Sequence, residues 1–112
     1  MKLKIGSSNL NQTPLAWEKN FSNIRNSIND ARKKNVKILC FPELSITGYS
    51  CQDLFFNCWF IKKSEKYLNE VVKLCNGMTV LIGHPLKYSG KLYNAVSIIK
   101  NKEIKGCFIK SN

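Results

Sequence analysis

The sequence predicts an α/β domain in which helices alternate with buried strands and a pair of antiparallel strands follows. Three observations predict it. Short apolar runs of strand length recur along the chain, apolar residues at helical spacing lie between the first three runs, and two residues separate the last two. The resulting order, β-α-β-α-β-β-β, is typical of a layered α/β fold. At 112 residues, the chain is one small domain or part of a larger one.

The first strand and helix are predicted over residues 3–35. Residues 3–10 alternate as a strand does, and Thr13 and Pro14 then suit the cap and the first position of a helix. The helix continues to about Asn35 with one apolar stripe. That stripe consists of Trp17, Phe21, Ile24, Ile28 and Ala31. We interpret it as a core-facing surface.

The second strand and helix follow the same logic. Residues 36–41 are almost continuously apolar, which predicts a strand covered on both faces. The strand–helix–strand order is that of a parallel crossover unit. A second helical stripe comprises Ile61, Leu68, Val71, Val72 and Cys75. Asn76 and Gly77 are suited to end that helix.

The last three strands are predicted from short apolar segments. Residues 79–83 form a third buried run. Residues 92–100 and 103–110 are strand-like and are joined by Asn101 and Lys102, which predicts a hairpin.

The charge of the chain does not indicate a nucleic-acid site. The formal net charge is +11, but the lysines are spread along the sequence, whereas phosphate binding needs clustered cations. No apolar stretch is long enough for a membrane span, and the start of the chain lacks a secretory signal. We therefore expect a cytoplasmic protein with no nucleic-acid partner and no membrane partner.

The cysteines and the single histidine are predicted to be structural. The five cysteines show no metal-binding spacing, so we expect no metal site and expect most of them to be small buried side chains, including Cys40 and Cys107. His84 precedes Pro85 at a predicted strand end, where a structural role is favoured.

Glu43 is the first candidate for chemistry, because it follows a buried strand by two residues. Ligands of open α/β sheets collect beyond the carboxyl ends of strands, and a sheltered carboxylate there can act as a general base. An ion-paired or helix-capping glutamate is an equally good interpretation of position alone.

Lys110 is the second candidate. Ile104, Phe108 and Lys110 share one face by strict alternation, so Lys110 points into the core if the other two do. A buried ammonium needs a carboxylate partner, and Glu43 is the natural choice. A solvated end of the chain explains Lys110 equally well.

Several segments of the chain resemble a known family. The segment from Phe41-Pro42-Glu43 to Thr47-Gly48-Tyr49 resembles the glutamate segment of the nitrilase, or carbon–nitrogen hydrolase, superfamily. Other matching segments resemble the glutaminase domain of glutamine-dependent NAD synthetases. They are Asn9-Leu10-Asn11-Gln12, Trp17-Glu18-Lys19-Asn20, Tyr49-Ser50-Cys51-Gln52-Asp53, Gly83-His84-Pro85, Leu92-Tyr93-Asn94-Ala95 and Lys110. The implied fold is the N-terminal part of a nitrilase-like α-β-β-α sandwich, spanning residues 1–112.

The resemblance implies a Glu-Lys-Cys triad acting on glutamine. Glu43 would be the general base, Lys110 the stabiliser of the oxyanion, and Tyr49 a wall of the glutamine pocket. The ammonia released would amidate nicotinic acid adenine dinucleotide in a separate domain that uses ATP and magnesium; no cofactor is expected in this chain. Members of the family usually form homo-oligomers through their helical faces.

The chain departs from the family at the nucleophile. The family's cysteine lies well past the lysine, so none of the five cysteines matches it. We therefore expect an N-terminal fragment that is inactive alone. The alternatives are a fragment of another nitrilase-type amidase and a non-catalytic interaction module.

Overall fold

The structure is a computed structural model. It describes residues 4–8, 12–13, 15–42, 45–47 and 58–110, except for the side chains of Cys58 and Lys110. The elements in chain order are β1 (Ile5–Ser7), α1 (Trp17–Lys33), β2 (Ile38–Cys40), α2 (Cys58–Val72), β3 (Thr79–Tyr88), β4 (Lys91–Lys100) and β5 (Glu103–Lys110). The predicted order of helices and strands is confirmed.

The five strands form one sheet in the order β1-β2-β3-β4-β5. β1, β2 and β3 are parallel, whereas β4 is antiparallel to both of its neighbours. α1 and α2 are the two crossovers, and both lead in the same direction along the sheet. Successive crossovers of one hand then place both helices on the same face.

The core lies between the two helices and one face of the sheet. The sheet contributes Leu39, Val80, Ile82 and Ile99, all 4% exposed or less. The helices contribute buried residues that include Trp17, Ile24, Ile28, Ala31, Phe60, Ile61, Leu68 and Val71. Both predicted helical stripes therefore face the core; Phe21 and Val72 are partly buried at its margin.

The opposite face of the sheet is apolar but is not covered by any described helix. We call it the open face, and its apolar residues by strand register include Ile5, Ile38, Cys40, Leu81, Val96, Ile98 and Phe108. The prediction that β2 is covered on both faces holds for Leu39, which is buried, but only in part for Ile38 and Cys40, which are half-buried on the open face.

The start of α1 differs from its prediction. The helix begins at Trp17, and the residue at the cap position is Ala16, which makes no side-chain cap hydrogen bond. Thr13 lies four residues before Trp17 and therefore does not cap α1; the side chain of Asn20 binds its backbone N–H and its carbonyl. Leu15, with φ of 62°, further separates Thr13 from the helix, since this backbone conformation cannot extend a right-handed helix.

Two tight hairpins build the antiparallel half of the sheet. The predicted turn at Asn101 and Lys102 is confirmed, with φ of 51° and 62°, as expected for a two-residue turn of the I′ type. A second turn at Ser89 and Gly90 joins β3 to β4. β3 therefore runs to Tyr88, beyond its predicted end at residue 83.

Candidate active site

The carboxyl ends of four strands lie at one edge of the sheet. β1, β2 and β3 are parallel, and β5 has the same direction as β3 because β4 between them is antiparallel to both. Ligands of open α/β sheets bind beyond such an edge. Glu43 follows the end of β2 by three residues, and Lys110 is the last residue of β5. The sequence therefore connects both candidates to this edge.

The predicted site residues are described only in part. Glu43 and Tyr49 lie outside the described residues. The backbone of Lys110 pairs with Asn94, and its side chain is outside the description. β3 and β4 separate β2 from β5, which corresponds to three strand spacings, or about 14 Å across the sheet. A contact between Glu43 and Lys110 stays a prediction.

A bulge in β5 changes the alternation argument made for its last residues. The pairing with β4 passes over Lys105, so that Ile104 pairs with Ile99. Phe108 pairs with Val96, which lies on the other face of β4. The prediction that Ile104 and Phe108 share a face is therefore wrong. They are also 44% and 64% exposed and do not point into a core among the described residues.

Three consecutive backbone carbonyl groups in the loop after β2 accept hydrogen bonds that hold this loop in place. Residues 45–47, which we call the β2 loop, are buried. Their carbonyl oxygens accept hydrogen bonds, in order, from the side chain of Gln12 at 2.5 Å, the side chain of Asn20 at 3.3 Å and the backbone N–H of Leu15 at 3.2 Å. The segment before α1 and the first turn of α1 thus fix the backbone of the β2 loop.

The described residues before and after Glu43 in the sequence also form hydrogen bonds. Upstream, the N–H of Phe41 donates to the carbonyl of Leu81 in β3, at 2.8 Å. Downstream, the hydroxyl of Ser45 donates to the carbonyl of Pro42 at 2.5 Å. The candidate base therefore lies in the sequence between two anchored points.

Asn20 belongs to one of the family-like segments, but no role is predicted for it from the sequence, although a signal is present. Asn20 follows Trp17 by three residues and precedes Ile24 by four, so it belongs to the core-facing stripe of α1. It is 1% exposed. A polar residue on such a stripe needs buried partners, and the β2 loop and Thr13 supply them.

His84 has a structural environment, as expected. It lies within β3, not at its end, and is 3% exposed. Its Nδ1 is 3.1 Å from the carbonyl of Pro85, which can only accept, so Nδ1 carries the proton and Nε2 accepts from the hydroxyl of Ser97 at 2.6 Å. Burial lowers the pKa of His84 below its usual value.

The described cysteines differ widely in exposure. Cys40 is half-buried, Cys75 is buried and Cys107 is exposed, and all three are free. The prediction that Cys107 is buried is wrong, because β5 is an edge strand with no described neighbour beyond it. Burial raises the pKa of the Cys75 thiol to about 11, which disfavours the reactive thiolate.

Neither a membrane-spanning helix nor a cluster of metal-ligating side chains occurs in the described part of the chain. That part contains no helix long and apolar enough to span a membrane. It also contains no group of three metal-ligating side chains of His, Cys, Asp or Glu.

Comparison with known families identifies the fold and its relatives. The family model described as carbon–nitrogen hydrolase matches residues 4–110, nearly the whole chain. The chain belongs to the carbon–nitrogen hydrolase family. This match agrees with the segment around Glu43 on which the resemblance rests.

Among curated proteins, this carbon–nitrogen hydrolase chain is similar to glutamine-dependent NAD(+) synthetases. It is 31% identical to the Arabidopsis thaliana enzyme over 91% of this chain and 14% of that protein. It is 30% identical to the Thermotoga maritima enzyme over 97% of this chain and 19% of that protein. The chain thus spans less than a fifth of the length of these relatives.

Solved structures support the same fold. A glutamine-dependent NAD(+) synthetase from Cytophaga hutchinsonii is 41% identical, with a TM-score of 0.94 over 98% of this chain and 19% of that chain. An amidase from Nesterenkonia sp. superposes with a TM-score of 0.80 over 98% of this chain and 43% of that chain, at 14% identity. The fold is therefore part of the nitrilase-like α/β architecture.

Proposed function

We propose that this chain is the N-terminal portion of the glutaminase domain of a glutamine-dependent NAD synthetase. The likeness to the Cytophaga hutchinsonii enzyme over almost the whole chain is the observation that supports it most strongly. In this proposal the domain releases ammonia from glutamine for the amidation of nicotinic acid adenine dinucleotide. ATP and magnesium act in a further domain, and the full protein is a cytoplasmic homo-oligomer.

The proposed chemistry divides the roles among three side chains of this chain. Glu43 takes the proton of a cysteine thiol, which then attacks the side-chain amide carbon of glutamine. Lys110 stabilises the negative charge that develops on the amide oxygen. The proton taken up by Glu43 then passes to the leaving nitrogen, so that ammonia departs, and water hydrolyses the resulting thioester to glutamate and the free thiol. Tyr49 lines the pocket that receives glutamine.

The nucleophile is not among the residues of this chain. None of its five cysteines matches the family's nucleophile in position. We therefore expect the 112 residues alone to release no ammonia from glutamine. Ammonia release by the purified chain that disappears in Glu43→Gln would contradict this part of the proposal.

A chimera tests the proposed roles in a complete enzyme. Residues 4–110 would replace the matching segment of the Cytophaga hutchinsonii enzyme, with glutamine-dependent NAD formation as the assay. We expect Lys110→Met to lower kcat by about a hundredfold or more, because it removes a charge aimed at the oxyanion. Tyr49→Ala should mainly raise the KM for glutamine.

Lys105→Met is the matched control for the lysine variant. Lys105 is exposed, lies in the same strand and forms an ion pair with Glu103 at 2.8 Å. The Lys105→Met substitution should leave kcat within about twofold of the value for the unsubstituted chimera, since an exposed ion pair contributes little to stability. Equal losses for Lys105→Met and Lys110→Met would contradict a specific role for Lys110.

A further inference from the structure

The β2 loop has a built-in clamp whose members are not among the predicted site residues. We propose that Asn20 and Gln12 are positioning residues that hold the segment carrying Glu43, an inference that rests on the proposed function of Glu43 as the base. The described residues around Glu43 carry this inference.

Asn20 connects two segments with one side chain. Its Oδ1 accepts the N–H of Thr13 at 3.0 Å, and its Nδ2 donates to the carbonyl of Thr13 at 2.9 Å and to that of Ile46 at 3.3 Å. Both N–H groups of the amide are therefore used, together with its oxygen. A carboxylate of the same shape at this position would lose both donors and would face two carbonyl oxygens.

Gln12 extends the clamp to the neighbouring carbonyl. Its Nε2 lies 2.5 Å from the carbonyl oxygen of Ser45 and 3.2 Å from that of Asn20. Its Oε1 accepts a hydrogen bond from Asn23 at 2.9 Å, so the orientation of the amide is fixed from α1. The two clamp side chains thus hold adjacent peptide groups of the β2 loop from one direction.

The clamp binds the backbone that follows Glu43, the proposed catalytic base. The hydroxyl of Ser45 donates a hydrogen bond to the carbonyl of Pro42, and Glu43 lies between these two residues in the sequence. A general base must be held to a fraction of an ångström, and fully bonded buried polar groups hold a backbone more specifically than apolar packing does. An apolar residue at position 20 would fill the core stripe without fixing the β2 loop.

Amide hydrogen exchange of the 112-residue chain tests the clamp without catalysis. We expect Asn20→Asp to speed exchange in peptides covering residues 41–47 by about tenfold or more, because the buried hydrogen bond to the carbonyl of Ile46 is lost and a carboxylate faces that carbonyl instead. Peptides from β3 and β4 should change much less. Asn29→Asp is the control, since it adds the same charge at an exposed position of α1.

A second variant covers the case in which Asn20→Asp does not fold. Gln12→Glu removes the donor to Ser45 at a half-buried position outside the helix and should affect the same peptides. Unchanged exchange at residues 41–47 in a folded variant would overturn the clamp. An equal increase in β3 and β4 would also overturn it, because it would show general destabilisation.

The chimera separates the clamp from the function on which it rests. There, Asn20→Asp should lower kcat by about tenfold while the KM for glutamine stays within about twofold, as expected for a misplaced base and not for a lost binding contact. Unchanged kcat in a folded Asn20→Asp chimera would overturn positioning. Failure of the proposed function would appear separately, as a Glu43→Gln chimera with full activity.

Discussion

At the scale of single residues, two polar side chains of the core, Asn20 and His84, have specific partners on the sheet or its loops. Asn20 binds the segment before α1 and the β2 loop, and His84 binds Pro85 and Ser97 within the antiparallel part of the sheet. Each is 3% exposed or less. Such groups stabilise the fold only while their hydrogen bonds are intact. A change in protonation, or the loss of one hydrogen-bond donor, therefore has a large effect on the free energy of unfolding.

His84 should make the stability of the chain depend on pH. Because burial lowers its pKa in the folded state, the unfolded state binds more protons below about pH 6.5. The free energy of unfolding should therefore fall as the pH falls from 7.5 to 5.5. Urea unfolding at both values should show a smaller fall in His84→Gln. An identical fall in both proteins would assign the effect to other groups.

The candidate site residues show which kinds of residue can be predicted from sequence. Glu43, Lys110 and Tyr49 are predicted because they belong to contiguous family motifs or to a matching strand end. The clamp could not be found in this way, because Gln12 and Ser45 are 33 positions apart and only the fold brings them together. A polar residue on an apolar stripe, as at Asn20, was the one visible sign of it.

At the scale of elements, α1 and α2 meet through an aromatic cluster. Tyr67 stacks on Trp17 with ring centroids 5.6 Å apart, and Phe60 contacts the same tryptophan at 5.5 Å. The hydroxyl of Tyr67 donates to the carboxylate of Glu18. This bond, together with burial, raises the pKa of Tyr67 to about 12. The two helices are thus joined by ring packing and by one charge-assisted hydrogen bond.

Removing the Tyr67 hydroxyl should show how much its hydrogen bond to Glu18 contributes to the free energy of unfolding. We expect Tyr67→Phe to lower the free energy of unfolding by about 1 kcal/mol, because the ring packing stays and Glu18 can return to water. Tyr88→Phe is the matched control, since Tyr88 is 60% exposed at the end of β3 and should change stability little. Equal effects of the two variants in chemical denaturation would contradict a specific contribution from the Tyr67–Glu18 bond.

The order of the elements could be predicted, but local shifts within them could not. Apolar periodicity identified both helices, and Asn101-Lys102 identified the hairpin turn. The late start of α1 accompanies the hydrogen bonds between Asn20 and the backbone of Thr13, which apolar periodicity does not indicate. The bulge at Lys105 does not follow from strict alternation, although Gly106 beside it is the kind of residue that often marks a bulge. The bulge moves Ile104 to the face opposite Phe108.

At the scale of the whole molecule, the two faces of the sheet differ. α1 and α2 cover one face, whereas the described residues leave the open face uncovered. Ile5 and Phe108 on the open face are each 64% exposed. Exposed apolar surface of this kind favours association of the purified chain.

Phe108 should therefore control the association of the 112-residue chain. We expect sedimentation velocity to show assembly that increases with concentration, and Phe108→Ser to reduce it. Trp59→Ser is the control on the opposite side, because Trp59 is 53% exposed on α2. A larger effect of Trp59→Ser would show that the helical side associates instead, and a chain that stays monomeric would contradict this expectation altogether.

The central claim is that Glu43 is the catalytic base of a glutaminase domain, and one comparison tests it directly. In the chimera with the Cytophaga hutchinsonii enzyme, ammonia release from glutamine should fall by about a hundredfold or more in Glu43→Gln, as expected for loss of a general base. Glu103→Gln makes the same chemical change at an exposed position of β5 and should leave the rate unchanged. A Glu43→Gln chimera as active as Glu103→Gln would contradict the account.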